Sequence, residues 1–184
     1  MYGMIALFDE QTEKRIQGVW EGLKQEGITS YAYDVSNREP HLTLASYSSL
    51  NVEAYIELMD SHYQTREVVN LAFNTLGTFI QSGTLFLSPT VSSGLRELHS
   101  EHHRIFEKFN DNPESLYLPD SWIPHCTLAN RLSRKEMKDA FEYCTDTLKP
   151  IVGKIVEVAL IELVTPSEVQ IVHSVSLKEQ KHLD

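Results

Sequence analysis

A six-residue phrase occurs twice in this chain, and nothing else in the sequence constrains the fold as much. Pro40-His41-Leu42-Thr43-Leu44-Ala45 is repeated as Pro124-His125-Cys126-Thr127-Leu128-Ala129, with the two histidines 84 residues apart. Each copy reads as a β-strand. Side chains alternate faces along a strand, so the His and the Thr two positions on share a face while the residue between them turns to the other. A His-x-Thr match alone is close to chance. The flanking Pro and Leu-Ala make the repeat specific, and none of the other six histidines is followed by Thr at this spacing.

The surroundings repeat as well. An apolar run begins at Gly3, 38 residues before His41, and a second begins at Gly83, 42 residues before His125; a helical stretch follows each run. Asp9 is placed to cap a helix carrying Ile16, Val19, Trp20 and Leu23 on one face. Asn51 caps a second helix, with Val52, Tyr55, Ile56 and Met59 at the same spacing. Strands are expected over Val68–Ile80 and Thr84–Leu87, joined through a turn at Gln81-Ser82-Gly83. A third helix runs from about Ser92 to Phe109. Ser133 and Glu136 form a capping box for a fourth, whose stripe includes Met137, Ala140, Phe141 and Cys144. Strands over Lys154–Val164 and Val169–Leu177 follow. The order is β-α-β-α-β twice, with one strand added, which suits two related halves within one domain spanning residues 1–184.

Composition narrows the function classes. A net charge of −10 argues against a broad nucleic-acid footprint, because non-specific binding to the phosphate backbone draws on clustered Lys and Arg. Duplex nucleic acid is therefore not an expected partner. No apolar run approaches the roughly 18 residues needed to cross a bilayer, and the N-terminus lacks a basic-then-apolar export pattern. With only two cysteines, the chain is expected to be cytoplasmic with reduced thiols, away from membranes, and monomeric.

Two histidines and two hydroxyls around one cleft suit acid/base chemistry at a phosphate. An imidazole pKa of about 6.5 lets one ring act as base and the other as acid near neutrality. In-line attack at phosphorus places the two rings on opposite sides of the phosphate. Thr43 and Thr127 can donate to the non-bridging oxygens, where charge accumulates. The two proton transfers call for no cofactor and no metal. The near-symmetric motifs leave open which histidine is base and which is acid.

Two His-x-Thr strands at this separation, in a chain of this size and duplicated arrangement, resemble the 2H phosphoesterase superfamily. The resemblance covers nearly the whole chain and is nearest to the 2′-5′ RNA ligase-like and cyclic nucleotide phosphodiesterase proteins. It implies an α+β, bilobal fold with a pseudo-two-fold repeat, two antiparallel sheets facing across a central cleft and helices outside. It also implies that His41, Thr43, His125 and Thr127 are catalytic. The expected function is metal-independent hydrolysis of a cyclic phosphate or 2′-5′ phosphodiester of a nucleotide or RNA end, with 2′-5′ RNA ligation at most a minor reverse activity. The alternative is a nucleotide- or RNA-end-binding protein that keeps the cleft without turnover.

Other residues carry weaker expectations. Trp122, three residues before His125, is a candidate to stack on a nucleobase or to anchor its loop. Tyr47 and Arg131, each six residues after a motif histidine, are in phase with the motif if the strands alternate that far, and are candidate substrate contacts. His102 falls on the apolar stripe of the third helix, whereas His99 and His103 share a neighbouring face expected to be more exposed; the spacing does not make a metal site. Cys126 should be buried, as should Cys144. His173 reads as a core or cleft-edge histidine.

Overall fold

The expected element order is what a computed structural model of the chain contains, over residues 1–80 and 82–179. The strands and helices are β1 (Tyr2–Phe8), α1 (Glu10–Gln25), β2 (His41–Tyr47), α2 (Val52–Tyr63), β3 (Val69–Thr78), β4 (Leu85–Pro89), α3 (Ser93–Ile105), β5 (Cys126–Ala129), α4 (Arg134–Thr147), β6 (Ile151–Thr165) and β7 (Glu168–Ser176). The protein is α+β, with helices packed on an antiparallel sheet. Part of the expected turn between β3 and β4, Gln81, lies outside the described residues, as do residues 180–184.

Local chemistry explains the helices. Asp9 accepts the Thr12 N–H at 3.0 Å, and Ile16, Val19, Trp20 and Leu23 are buried beneath α1. Burial of each such side chain contributes about 1.5–3 kcal/mol. Asn51 caps α2, and Ser133 with Glu136 forms the capping box of α4. Helix α3 ends at Ile105, earlier than its periodicity suggests, and a short 3-10 turn over Glu107–Phe109 carries the chain on. Phe106 still packs against Tyr55, with ring centroids 4.8 Å apart. In α4 the core face is narrower than its stripe implies, because Phe141 is exposed.

The sheet runs in the order β2-β1-β6-β3-β4-β5, with β7 also paired to β6. Exchanging β1 with β4, β2 with β5 and β3 with β6 leaves that order unchanged when it is read from the other end, which is the order a pseudo-two-fold repeat would give. The two faces of the expected cleft are joined into one hydrogen-bonded path by β6. This strand is 15 residues long, enough to pair with β3 through its first residues, with β7 through its later ones, and with β1 along its other edge. The motif strands β2 and β5 form opposite ends of the path, and the sheet curls until those ends touch. No helix among the described residues is long and apolar enough to cross a membrane.

Candidate active site

Every position of the repeated phrase has a structural task. His41 and Thr43 pair with Leu7 and Ile5 of β1; the next pair is Ala45 with Met4, so Leu44 is an extra, unpaired residue. In β5 the same thing happens at the same place. Thr127 pairs with Phe86 and Ala129 with Leu85, leaving Leu128 as the extra residue. Each copy therefore contains a β-bulge, and the repeated Leu-Ala is two consecutive core residues, all four of them buried.

The bulge also overturns two expectations. Inserting one residue exchanges the faces of everything beyond it, so positions six residues after the histidines turn away from the motif side chains. Tyr47 is 2% exposed and is not a substrate contact; its hydroxyl meets His102 Nε2 at 2.9 Å and accepts from Tyr55 at 3.2 Å, deep beneath the sheet. Arg131 likewise does not extend the motif face. It lies beyond the end of β5 in left-handed backbone (φ 59°), exposed, with its N–H donating to Asn130 Oδ1. Ser46 takes the position expected of Tyr47 and lines the cavity described below. The signal was present in the sequence, since two adjacent apolar residues after each Thr break strict alternation.

The proline completes the phrase. In each copy the histidine Nδ1–H donates to the carbonyl two residues earlier, His41 to Glu39 at 2.7 Å and His125 to Ile123 at 2.8 Å. Pro holds its own φ and keeps the residue before it extended, which fixes the residue that supplies this carbonyl. A carbonyl can only accept, so the bond assigns the ring proton to Nδ1 and leaves Nε2 of both rings as the free, basic nitrogen. Burial lowers the pKa of both histidines, and their carbonyl partners partly oppose it. His41 is lowered further by the charges of Arg38 and His125, so the two motif rings are close enough to feel each other. The intervening Cys126 is 1% exposed with its thiol pushed up to about 12, which leaves no thiolate for nucleophilic work. Cys144 is also buried.

The two motif strands are held by groups from the opposite half of the chain. Trp20 Nε1 donates to the Thr127 carbonyl at 3.2 Å, and Trp122 Nε1 donates to the Thr43 carbonyl at 2.9 Å. These are the only two tryptophans in the chain. Trp122 is therefore a loop anchor and not a free stacking platform: its indole lies flat on His99, centroids 3.7 Å apart and planes 2° from parallel. The phenols cross over in the same way. Burial raises the pKa of both Tyr31 and Tyr117, opposed by contact with the Thr127 side chain (and with Arg38) for the first and with the Thr43 side chain for the second.

Helix α3 braces the first motif strand from behind. His99 and His103 are buried rather than exposed, because their Nε2–H groups donate to the carbonyls of Tyr117 at 2.8 Å and Leu44 at 3.1 Å. Leu44 is the bulged residue. His102, 0% exposed, has both ring nitrogens bonded, to Tyr47 and to Tyr63 at 2.9 Å each. His173 pairs with Asp60 at 2.8 Å, at the junction of α2 and β7.

A cavity of about 700 Å³ opens beside the first motif. His41, Thr43, Tyr31, Tyr117 and Arg38 form its polar wall. His125 and Thr127 are not on that wall; His125 packs edge-on against Phe79, centroids 4.8 Å apart, and against Phe86 at 5.4 Å. Gly77 makes room for this by letting the Phe86 ring lie over its backbone, where a Cβ would approach to 2.7 Å. Arg38, Tyr31 and Tyr117 are site residues that sequence reasoning missed. A signal existed for Arg38, which stands three residues before His41 as Trp122 stands three before His125. The two tyrosines lie in the irregular loops that lead into each motif.

Comparison with known proteins agrees with this geometry. The sequence profile of the 2′-5′ RNA ligase superfamily matches residues 8–165. Among curated proteins no sequence matches significantly. Solved structures with the same fold include E. coli LigT in apo form (15% identity, 96% of each chain covered, TM-score 0.65) and E. coli LigT complexed with 3′-AMP (15% identity, 96% of this chain and 97% of that one, TM-score 0.62). TT0787 of Thermus thermophilus is also similar, at 18% identity over 98% of this chain and 100% of that one, with a TM-score of 0.59. A profile match over most of the chain and a shared fold, around two His-x-Thr strands brought end to end, place the protein in the 2′-5′ RNA ligase superfamily of 2H phosphoesterases.

Proposed function

We propose that the protein hydrolyses a cyclic phosphodiester of a nucleotide by paired-histidine acid/base catalysis, with His41, Thr43, His125 and Thr127 as the catalytic residues. One observation carries the reading: both motif imidazoles are locked through Nδ1 to a backbone carbonyl, so two Nε2 atoms of matched tautomer serve one cleft. One Nε2 takes a proton from water as its oxygen attacks phosphorus. The other, protonated, gives its proton to the ribose oxygen as the P–O bond on the far side breaks, and a phosphomonoester is left. Both rings are neutral in the free protein, and the negative phosphodiester favours the protonation that one of them needs. The threonine hydroxyls donate to the non-bridging oxygens. The similar LigT has been solved with 3′-AMP, one of the two phosphomonoesters that opening adenosine 2′,3′-cyclic phosphate can give, which supports a nucleotide substrate.

The test is incubation with nucleoside 2′,3′-cyclic phosphates in EDTA, resolving 2′- from 3′-phosphate products. Turnover that disappears in both His41→Ala and His125→Ala is the expected result. Saturable binding with no turnover of any cyclic or 2′-5′ substrate would make the protein a nucleotide binder instead.

A further inference from the structure

The cavity beside His41 continues past the polar wall into an apolar trough. Its floor is made by Gly3 and Ile5 of β1, Ile161 and Leu163 of β6, and Val169 of β7. Gly3 keeps it open, because a Cβ at that position would come within 3.3 Å of the Ile161 side chain. Asn37, Ser46 and Gln170 supply neutral donors and acceptors along the rim. At the other end, the loop before His41 is tied to the β6–β7 turn by a bridge between Ser36 and Glu168, which gives the trough a backbone wall.

The charges are few. Among the described residues, Arg38 and Glu39 are the only permanently charged side chains on the cavity wall. Arg38 lies over the Tyr31 ring, 3.9 Å from its centroid, and its Nε is shut off from solvent with no hydrogen-bond partner. Among the described residues no carboxylate forms an ion pair with it, although the chain carries 26 Asp and Glu against 16 Lys and Arg. A buried, unpaired guanidinium donor beside a catalytic histidine suits an anion.

We propose that the trough is the subsite for the nucleoside part of a mononucleoside 2′,3′-cyclic phosphate, with Arg38 holding the phosphate at its mouth. This rests on the function proposed above and narrows it. A nucleoside is flat, largely apolar on its faces and rimmed with neutral hydrogen-bonding groups, which is what the trough offers, and the cavity lies in the size range of small-ligand sites. An RNA chain continuing from the 5′ oxygen brings a further phosphate. It would meet no second cation on this wall, and Glu39 and the overall negative charge would repel it.

Steady-state kinetics with adenosine 2′,3′-cyclic phosphate and with a trinucleotide ending in the same cyclic phosphate tests the inference. The mononucleotide is expected to have the higher kcat/KM by about tenfold or more. Gly3→Leu, which fills the trough, should raise KM for the mononucleotide about tenfold with kcat changed less than about twofold, and Gly3→Ala should raise it less. Arg38→Ala should lower kcat/KM about a hundredfold, with partial recovery in Arg38→Lys. Equal or faster turnover of the trinucleotide would overturn the inference while leaving hydrolysis intact, as would an unchanged KM in Gly3 variants shown by circular dichroism to be folded. If the wild type turns over neither substrate, the hydrolytic reading fails by itself. Titration with adenosine 3′-monophosphate, followed by methyl NMR of Ile161 and Leu163, then decides the trough: saturable shifts support it and none overturns it.

Discussion

The two motif strands are alike where atoms would react and different where a substrate would rest. Strands β2 and β5 share the proline, the Nδ1-to-carbonyl lock, the bulge after Thr and a tryptophan N–H on the Thr carbonyl. Beside β2, however, lies an open trough with Arg38 at its mouth, whereas beside β5 the aromatic rings of Phe79 and Phe86 close on His125. A repeat that conserves the reactive geometry and breaks symmetry in the walls separates two problems. Proton transfer at phosphorus needs two similar histidines; holding one asymmetric molecule between them needs two dissimilar surroundings.

The sharpest way to break this comparison is at the histidines. His41→Ala and His125→Ala should each lower kcat on a 2′,3′-cyclic nucleotide by about 10²–10⁴-fold, the range of a lost general acid or base. If one variant kept wild-type turnover, the motifs would not be a working pair. Because burial lowers both imidazole pKa values, the acid limb of kcat/KM should fall below the ordinary imidazole value of about 6.5. Thr43→Val and Thr127→Val come next, each expected to cost about 10²–10³-fold in kcat with little change in KM, as for a donor that acts on developing charge. A loss in KM alone would assign the hydroxyls to ground-state binding.

The likeness of the two strands was legible in the sequence and their difference was not. Periodicity and capping residues located all four helices, and the repeated order anticipated the seven strands, because those signals are local. Alternation counted through Leu44 and Leu128, the two bulged residues, misplaces Tyr47 and Arg131. Trp122 and Arg38 hold the same offset from their histidines, yet one anchors a loop on His99 and the other faces a cavity. Only tertiary packing distinguishes them. The burial of His99 and His103 was equally hidden, since their partners are backbone carbonyls from distant segments, which no side-chain pattern announces.

Those histidines make the support of the two motifs unequal, and acid should expose it. The carbonyl of Leu44 accepts from His103, and His99 holds the Tyr117 loop while stacking on Trp122. Burial lowers all three histidines of α3, His99 to about 4. In the unfolded chain these rings protonate near the usual value of about 6.5, so between that pH and their folded values the unfolded state binds more protons. Stability is then fully present above about 6.5 and is lost as the pH falls toward 4, with His99 alone accounting for about 3 kcal/mol. Urea unfolding of the wild type and of His99→Gln between pH 7.5 and 4.5 measures this. The variant should lose less stability over that interval, and parallel curves would remove His99 from the account.

The smallest effect concerns the crossed tryptophans. Replacing Trp20 or Trp122 by Phe keeps most of the packed ring but strips the N–H from the carbonyl of Thr127 or Thr43. An acceptor left unsatisfied in a buried setting costs about 1–3 kcal/mol, and one that water can reach costs less. Trp20 is 6% exposed, whereas Trp122 is only half-buried on its loop, so Trp20→Phe should destabilise more in urea unfolding. Turnover should show the opposite order, because Trp122 also fixes the loop that presents Tyr117 to Thr43 and the cavity. If one variant led in both measurements, the two anchors would differ in strength alone, and the division between a shared reactive frame and an unequal substrate wall would not extend to the groups that hold the strands.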